Sequence, residues 1–376
     1  MSDVSRVNVS TRTDYVHNAI GAPGFSVTGE IAVQRGAVSG LAVSPDGALL
    51  VVTHRGDDSF SLIDTANGAV AETVIDIDEP FAVAISDTSS RRVYVSSATE
   101  AYDSVLAFDT DADRVVATYP LAFSVTDLAV SPDGRYVYAG RTGANGADVT
   151  VLDTATGHDD AISVATIPGT TTGCVRVSPD GRRLYVAVNG ASTAEFVVID
   201  ARQNRVLSAV EIGSPIRDIA LSPNGSTAYI GSCSADFGTV LDVVDIGDVR
   251  DARKLAVTGT YKLGDVAGLL AQLTMSRDGQ RVYLVGDQSV TVLSTTTHDI
   301  IGAIDIDGQP SCAIESPDGK RLYIADYAGT VTVLGIAAAP APAFAHATDD
   351  EPAAAHRWAP HQWTPPDLLL LEPTLA

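Results

Sequence analysis

Positive charge is scarce in this sequence. Its 376 residues include 24 Lys and Arg against 47 Asp and Glu, which gives a formal net charge of -23. A protein that grips phosphate backbones needs clustered basic side chains. We therefore expect no nucleic-acid partner.

Cysteines, long apolar runs and export signals are also few or missing. Cys174, Cys233 and Cys312 are the only cysteines, and they lie in no CxxC or Cys/His spacing, so neither a disulfide framework nor a zinc site is indicated. No run approaches the ~18 apolar residues of a membrane span. The first 25 residues lack the apolar core of a signal peptide. These absences predict a cytoplasmic protein without a membrane span, and we expect it to be a monomer.

The common catalytic signatures are missing too. No GxSxG, HExxH, CxxCH, Walker-type or GxGxxG pattern occurs. The most enzyme-like stretch is HRGDD at residues 54–58, which offers a base, a cation and two carboxylates. With no partner cluster elsewhere, we expect no catalytic residue and no cofactor.

One acidic run resembles the start of a calcium loop. Asp109, Asp111 and Asp113 alternate as such ligands do, but Arg114 and Pro120 stand where an EF-hand requires Gly and Glu. The run is therefore predicted to be an ordinary acidic turn, and no metal site is expected.

What the sequence does contain is a repeat. The motif SPDG and its variants recur at intervals of 40 to 54 residues. Such periodicity is typical of architectures built from one repeated unit. The anchor serines are Ser44, Ser86, Ser131, Ser178, Ser222, Ser276 and Ser316.

Each copy has the pattern of four antiparallel strands. An alternating run precedes a Pro-Asp-Gly hairpin turn, and a second strand such as Val137-Tyr138-Ala139 follows. A third strand such as Phe196 to Ile199 and a fourth such as Val206 to Ile212 complete the unit. Seven such units predict an all-β, seven-bladed β-propeller over residues 25–336. Residues 1–24 form an N-terminal extension, and residues 337–376 an Ala/Pro-rich linker and tail.

The seventh copy lacks its own fourth strand. After Val331 to Leu334 the sequence becomes Ala/Pro-rich, whereas Phe25 to Gln34, before the first copy, has the pattern of an outer strand. We expect this N-terminal strand to complete the last blade, because closure removes the exposed sheet edges.

The repeat resembles a known family. SPDG, a YVxx strand and a TVxVID-type strand, as in Ser178 to Val186 and Phe196 to Asp200, are similar to the YVTN repeat of bacterial seven-bladed propellers. That resemblance implies a binding or scaffold protein, since the family includes surface-layer proteins and other binding proteins. Some actinobacterial members are adaptors of envelope-lipid export machinery, so a membrane-associated transport complex is an expected partner. Its relatives among propeller lactonases imply the alternative, a hydrolase acting on a small molecule.

The repeated aspartates have a structural explanation. Asp side chains cap their own backbone in tight turns, so the motif residues Asp46, Asp133, Asp180 and Asp318 are interpreted as turn formers. Cys174 and Cys312, at matching positions of the innermost strands, are interpreted as buried small apolar residues.

The predicted working surface is acidic. In a four-stranded blade, the loops between second and third strands and the links between blades share one side of the ring, which we call the loop face; the SPDG turns occupy the opposite turn face. Nine acidic residues stand in the predicted loops against Arg55 and Arg141. Such a surface attracts cationic partners, although acidic loops also serve solubility. The candidate binding residues are Asp57, Asp58, Glu100, Tyr102, Asp103, Arg141, Asp236, Phe237, Asp326 and Tyr327.

The C-terminal tail holds both tryptophans, Trp358 and Trp363, and a run of four leucines. These apolar residues are costly to leave in water. The tail is predicted either to pack on its own ring or to dock on another protein or a membrane, and a metal site through His346, His356 and His361 is a third alternative. The candidate docking residues are Trp358, Trp363, Leu368, Leu369, Leu370 and Leu371.

Overall fold

The computed structural model describes residues 24–337, apart from residues 87–90, 123, 144, 192, 235, 248–254 and 265–268. Within those residues, 28 β-strands form seven four-stranded antiparallel sheets. The tail with its tryptophans, histidines and leucines, and the N-terminal extension before residue 24, lie outside the described residues.

Six sheets take their strands from consecutive stretches of chain. Blade 1 comprises β2 (Gly40–Val43), β3 (Leu49–His54), β4 (Ser59–Asp64) and β5 (Ala69–Ile75). Blade 2 comprises β6 (Val83–Ile85), β7 (Arg92–Ala98), β8 (Asp103–Asp109) and β9 (Arg114–Leu121). Blade 3 comprises β10 (Val125–Val130), β11 (Tyr136–Gly143), β12 (Gly146–Asp153) and β13 (Asp159–Ala165). Blade 4 comprises β14 (Thr171–Val177), β15 (Arg183–Asn189), β16 (Ala194–Asp200) and β17 (Arg205–Ile212). Blade 5 comprises β18 (Ile216–Leu221), β19 (Thr227–Ser234), β20 (Gly238–Asp245) and β21 (Ala256–Gly264). Blade 6 comprises β22 (Gln272–Met275), β23 (Arg281–Val285), β24 (Val290–Ser294) and β25 (Ile300–Ile304).

The seventh blade joins the two ends of the propeller. Its strands are β26 (Pro310–Glu315), β27 (Arg321–Asp326), β28 (Thr330–Ile336) and, outermost, β1 (Phe25–Ala32). Strand β1 pairs antiparallel with β28, with Phe25 opposite Ile336 and Ala32 opposite Thr330. The predicted closure by an N-terminal strand is thus confirmed, although the strand ends at Ala32 rather than at Gln34. The innermost strands contact one another in cyclic order, from β2 through β26 and back.

The core is divided among the interfaces between blades. Seven apolar clusters occur in the described residues, and each combines side chains from two neighbouring blades. One blade alone would leave both sheet faces in water, so the sequence repeats in order to bury them. In six blades the second strand contributes a buried tyrosine, and in blade 1 Val51 fills this position. These tyrosines are Tyr94, Tyr138, Tyr185, Tyr229, Tyr283 and Tyr323.

The SPDG turns repeat one hydrogen-bond pattern. In the first copy the Ser44 hydroxyl donates to Asp46 at 2.6 Å and accepts the Leu49 amide at 2.9 Å. Gly47 takes the positive φ of 71° that the turn requires. The serine hydroxyl lowers the pKa of the Asp46 carboxyl, as it does at Asp133 and Asp318. The interpretation of the motif aspartates as turn formers is confirmed, and the turn residues 87–90 of the second copy lie outside the described residues.

Neighbouring turns also interlock. A Cβ placed on Gly279 would lie 3.0 Å from Cδ of Pro223 in the preceding blade's turn, and on Gly181 it would lie 3.1 Å from Cδ of Pro132. The glycine of the motif is therefore needed both for its φ and for the approach of the next turn.

We expect Gly279→Ala to lower the free energy of unfolding by about 1–3 kcal/mol, because alanine at φ +69° is strained and its Cβ meets Pro223. Urea denaturation measures the change. Gly213→Ala is the control, since a Cβ there meets nothing within 4 Å and its φ is not positive. Equal losses in both variants would contradict the interlocking.

Candidate functional site

The loop face is assembled by hydrogen bonds between loops and links. The Asp58 carbonyl, in the loop after β3, accepts the amide of Ile77 from the link to blade 2 at 2.9 Å. Its carboxylate accepts the amide of Glu79 at 2.9 Å. Loop and link therefore lie together on one side of the ring, as the sequence predicts.

A central cavity of about 810 Å³ is lined by residues of the innermost strands and of the loop face. Phe81, Leu269 and Tyr327 line its mouth and are 42%, 57% and 50% exposed. Arg217, also in the lining, makes no hydrogen bond or ion pair with another described residue. The cavity has the size of a ligand pocket and combines apolar side chains with a few polar groups, as such sites commonly do.

Side chains at one repeat position connect adjacent innermost strands. In three blades, the residue four positions before the anchor serine has a carboxylate or amide oxygen that accepts a hydrogen bond from a backbone amide of the next blade. These bonds join Asp127 to Val175 at 2.9 Å, Asp218 to Leu273 at 2.9 Å and Gln272 to Ala313 at 2.6 Å. The other blades carry the small residues Gly40, Ala82, Cys174 and Cys312 at this position. These side chains therefore join blade 3 to blade 4, blade 5 to blade 6, and blade 6 to blade 7, in addition to the packing between the strands.

Arg176 braces three blades at the base of the cavity. Its guanidinium donates to Asp127 of blade 3 at 2.6 Å and forms an ion pair with Asp218 of blade 5. It also donates to the carbonyls of Ile219 at 3.0 Å and Val175 at 2.8 Å. Burial raises the pKa of Asp218, although Arg176 opposes the rise. Since the three charged groups are engaged with one another and with backbone, the arrangement supports the ring rather than chemistry.

The residues of this brace were not among the candidates that the sequence predicted. Asp127 and Asp218 stand at the same offset from their anchor serines, and Arg176 lies in the copy between them. That shared offset is the signal that could have found it.

Most of the predicted rim residues are exposed on the loop face. The exposed members are Asp57, Asp58, Glu100, Tyr102, Asp236, Phe237 and Tyr327. Two of these side chains contact a cation of the chain itself. Asp57 forms an ion pair with Arg35 at 3.3 Å, and the Lys262 ammonium lies 3.4 Å from the centroid of the Phe237 ring.

The expectation that Asp103, Asp326 and Arg141 present free charge at the surface needs correction. Asp103 is 6% exposed and accepts the Val125 amide at 2.7 Å, and Asp326 is 1% exposed and forms a tight turn by accepting the amides of residues 328 and 330. Arg141 is half-buried and binds both oxygens of Asp148, at 2.8 and 3.0 Å. The three residues belong to the loop-face ends of β8, β11 and β27, and their charges stabilise the adjoining loops and links.

The enzyme-like stretch at residues 54–58 does not form an accessible acid–base site. The His54 side chain is fully buried, its Nε2 lies 3.1 Å from the Ser61 hydroxyl, and burial lowers its pKa to about 4. Arg55 pairs with Glu79 at 2.9 Å. His54 therefore cannot reach a substrate outside the blade, which removes the base that a lactonase-like hydrolase would have needed here.

Two structural interpretations from the sequence are confirmed. The Asp109 carboxylate accepts the amides of Asp111 at 3.1 Å and Ala112 at 2.9 Å, so this acidic run is a turn. Cys174 and Cys312 are buried free thiols, and burial raises the pKa of Cys312 to about 12. Such thiols pack as small apolar residues.

Exposed apolar side chains are distributed unevenly. Among the described residues, all four exposed aromatic side chains belong to the loop face: Phe81, Tyr102, Phe237 and Tyr327. Ile75, Ile167 and Leu269 belong to the same face. The remaining large exposed apolar residues lie on outermost strands: Val27, Val70, Val116, Val206, Val257 and Ile300. These six residues lie near the turn-face ends of their strands, so the confinement to the loop face concerns the aromatic side chains.

Among the residues described, none forms a helix with the length and apolar character that crossing a bilayer demands.

The closed ring of seven four-stranded sheets defines a seven-bladed β-propeller. No family model matches the chain. It is 44% identical, over an alignment of 384 residues that covers 94% of each chain, to the seven-bladed beta-propeller protein Rv1057 of Mycobacterium tuberculosis. The chain therefore belongs to the family of seven-bladed β-propeller proteins that includes this mycobacterial relative.

A solved structure of hydrazine synthase from Kuenenia stuttgartiensis is similar in fold. The TM-score is 0.71 at 21% identity, over 82% of this chain and 97% of the other. At that identity the similarity concerns the fold alone.

Proposed function

We propose that this protein is a non-catalytic propeller that binds a protein partner through its loop face. The observation that carries the proposal is the confinement of the exposed aromatic side chains, among the described residues, to this face. Aromatic side chains are enriched in protein interfaces and often dominate their energetics.

The cavity and the charges of the loop face support the same function. Phe81, Leu269 and Tyr327 stand around a concave opening, where a partner's side chain would lose more contact with water than on a flat surface. His54 is buried and neutral, and the charged groups of the Arg176 brace are paired with one another and with the backbone. Both clusters therefore have structural roles. Binding through shape, apolar contact and charge is what the remaining exposed groups can perform.

The partner and compartment rest on the sequence. We propose that the chain is a cytoplasmic, monomeric relative of the YVTN-repeat propellers and an accessory factor of a membrane-associated transport complex in the cell envelope, such as lipid export. The resemblance of the SPDG repeat to those propellers supports this assignment, as does the mycobacterial relative.

The test compares two double variants of the full-length chain in cross-linking and affinity capture from its native host. Tyr102→Ala with Tyr327→Ala should reduce recovery of specific partners at least about tenfold, which corresponds to about 1.4 kcal/mol of binding energy. Val116→Ala with Val206→Ala, on the outermost strands β9 and β17, serves as the control and should leave recovery unchanged. Unchanged thermal unfolding would exclude a folding defect. Retained capture by the loop-face variant would contradict the proposal.

A further inference from the structure

Five exposed carboxylates lie together on the loop face where blade 1 meets blade 2. We call them the acidic ridge: Asp57 and Asp58 from the loop after β3, and Asp76, Asp78 and Glu79 from the following link.

The backbone holds the ridge in a defined shape. Asp58, Asp76 and Glu79 adopt positive φ angles of 47°, 62° and 40°. Aspartate tolerates this conformation better than most side chains, whereas Glu79 adopts it at a cost, and strained residues of this kind cluster at functional sites. The hydrogen bonds that Asp58 accepts from the link amides, and the buried side chain of Ile77, fix the loop and link to each other.

Two arginines of the chain already show how the ridge receives guanidinium groups. Arg35 binds Asp57 at 3.3 Å, and Arg55 binds one oxygen of Glu79 through two nitrogens, at 3.2 and 2.9 Å. Asp58, Asp76 and Asp78 have no cationic partner among the described residues. Three negative charges of the ridge are therefore left uncompensated.

The ridge continues directly into the apolar mouth of the central cavity. Phe81 follows Glu79 after one proline and lines the cavity with Leu269 and Tyr327. The guanidinium carbon of Arg55, which pairs with Glu79, lies 5.9 Å from the centroid of the Phe81 ring, so this ion pair adjoins the apolar side chain. A ligand that satisfies both parts must carry positive charge next to an apolar group.

We propose that this junction binds a segment of a protein partner in which Lys or Arg residues flank an apolar side chain, with the basic groups on the acidic ridge and the apolar group in the cavity mouth. The inference rests on the proposed function, that the loop face binds a protein, and adds the chemistry of the partner. Uncompensated carboxylates beside exposed apolar side chains favour such a segment and repel acidic peptides, nucleic acid and anionic lipid.

The experiment uses the full-length protein and two short synthetic peptides as probes. Both peptides carry a central photoreactive apolar residue, flanked by arginines in one peptide and by glutamates in the other. Fluorescence anisotropy should show that the arginine peptide binds at least about tenfold more tightly than the glutamate peptide and weakens as salt rises. Photo-crosslinking should attach the arginine peptide to tryptic fragments that contain Phe81 or Tyr327.

Two double variants separate the ridge from the overall charge. Asp76→Asn with Asp78→Asn removes two ridge charges, and asparagine tolerates the positive φ of residue 76. Asp111→Asn with Asp299→Asn removes two exposed charges from the turn face. The ridge variant should weaken binding of the arginine peptide about tenfold, whereas the turn-face variant should change it less than about twofold.

Equal weakening by the two double variants would overturn the inference, because binding would then follow net charge alone. Equal binding of the two peptides, or crosslinks confined to the turn face, would also overturn it. Failure of the inference is distinguishable from failure of the proposed function. If Tyr102→Ala with Tyr327→Ala still reduces partner capture at least about tenfold, the loop face remains the binding surface and only the inferred charge of the partner is wrong.

Discussion

Arg176→Met should lower the free energy of unfolding by about 3–5 kcal/mol. The guanidinium joins Asp127 of blade 3 and Asp218 of blade 5 to blade 4, and methionine would leave both carboxylates near each other without a cation. Asp218 is buried, so its charge would lose its main compensation. Urea denaturation at neutral pH measures the loss.

A triple variant provides the control for this prediction. Arg176→Met combined with Asp127→Asn and Asp218→Asn removes all three charges, while the asparagine oxygens can still accept the amides of Val175 and Leu273. We expect the triple variant to recover most of the lost stability, because replacing a complete buried ion cluster is often nearly neutral. If Arg176→Met by itself costs less than about 1 kcal/mol, the brace has no energetic role.

Glu315→Gln should stabilise the protein above neutral pH and flatten the dependence of its stability on pH. Glu315 stands immediately before its anchor serine, where the other copies carry an apolar residue, and it is 2% exposed. The Tyr283 hydroxyl donates to Oε2 at 3.2 Å, and Oε1 has no hydrogen-bond partner among the described residues. Burial raises the pKa of Glu315 from 4.5 to about 7.

The sign of the effect follows from the direction of this pKa change. Because the pKa is higher in the folded chain than in the unfolded chain, protonated Glu315 favours folding. That contribution is fully present below pH 4.5 and is lost as the pH rises through about 7. At about 1.4 kcal/mol per pKa unit, the loss is on the order of 3 kcal/mol. The turn aspartates, whose pKa values are lowered, act in the opposite direction in a more acidic range.

The measurement is the difference in unfolding free energy between variant and wild type as a function of pH. For Glu315→Gln the difference should change between pH 4.5 and about 7 and level off above it. Glu100→Gln, at an exposed position of the loop face, is the control variant. A constant difference for Glu315→Gln across this range would show that the carboxyl does not titrate there.

The burial of individual side chains separates what could be predicted in this site from what could not. Asp57, Asp58 and Tyr102 are exposed as expected, since they belong to loops whose place follows from the order of strands. Asp103 and Asp326 were expected in similar loops, but they are the first residue of β8 and the last residue of β27, and each side chain turns inward to accept backbone amides. Sequence pattern specifies the loop but not the direction of its side chains, because that direction depends on amides supplied by neighbouring residues and blades.

The sequence by itself determined the repeated unit, the number of blades and the closure of the ring. These features depend on local chemistry, such as the serine, aspartate and glycine of each turn and the alternation of each strand, and local chemistry is written in consecutive residues. Only the tertiary structure decided that Arg176 braces three blades, that His54 is buried and that the acidic ridge meets the apolar mouth of the cavity. The physical reason is that these arrangements join residues from different blades or depend on their packing, and their distances exist only once the ring has closed.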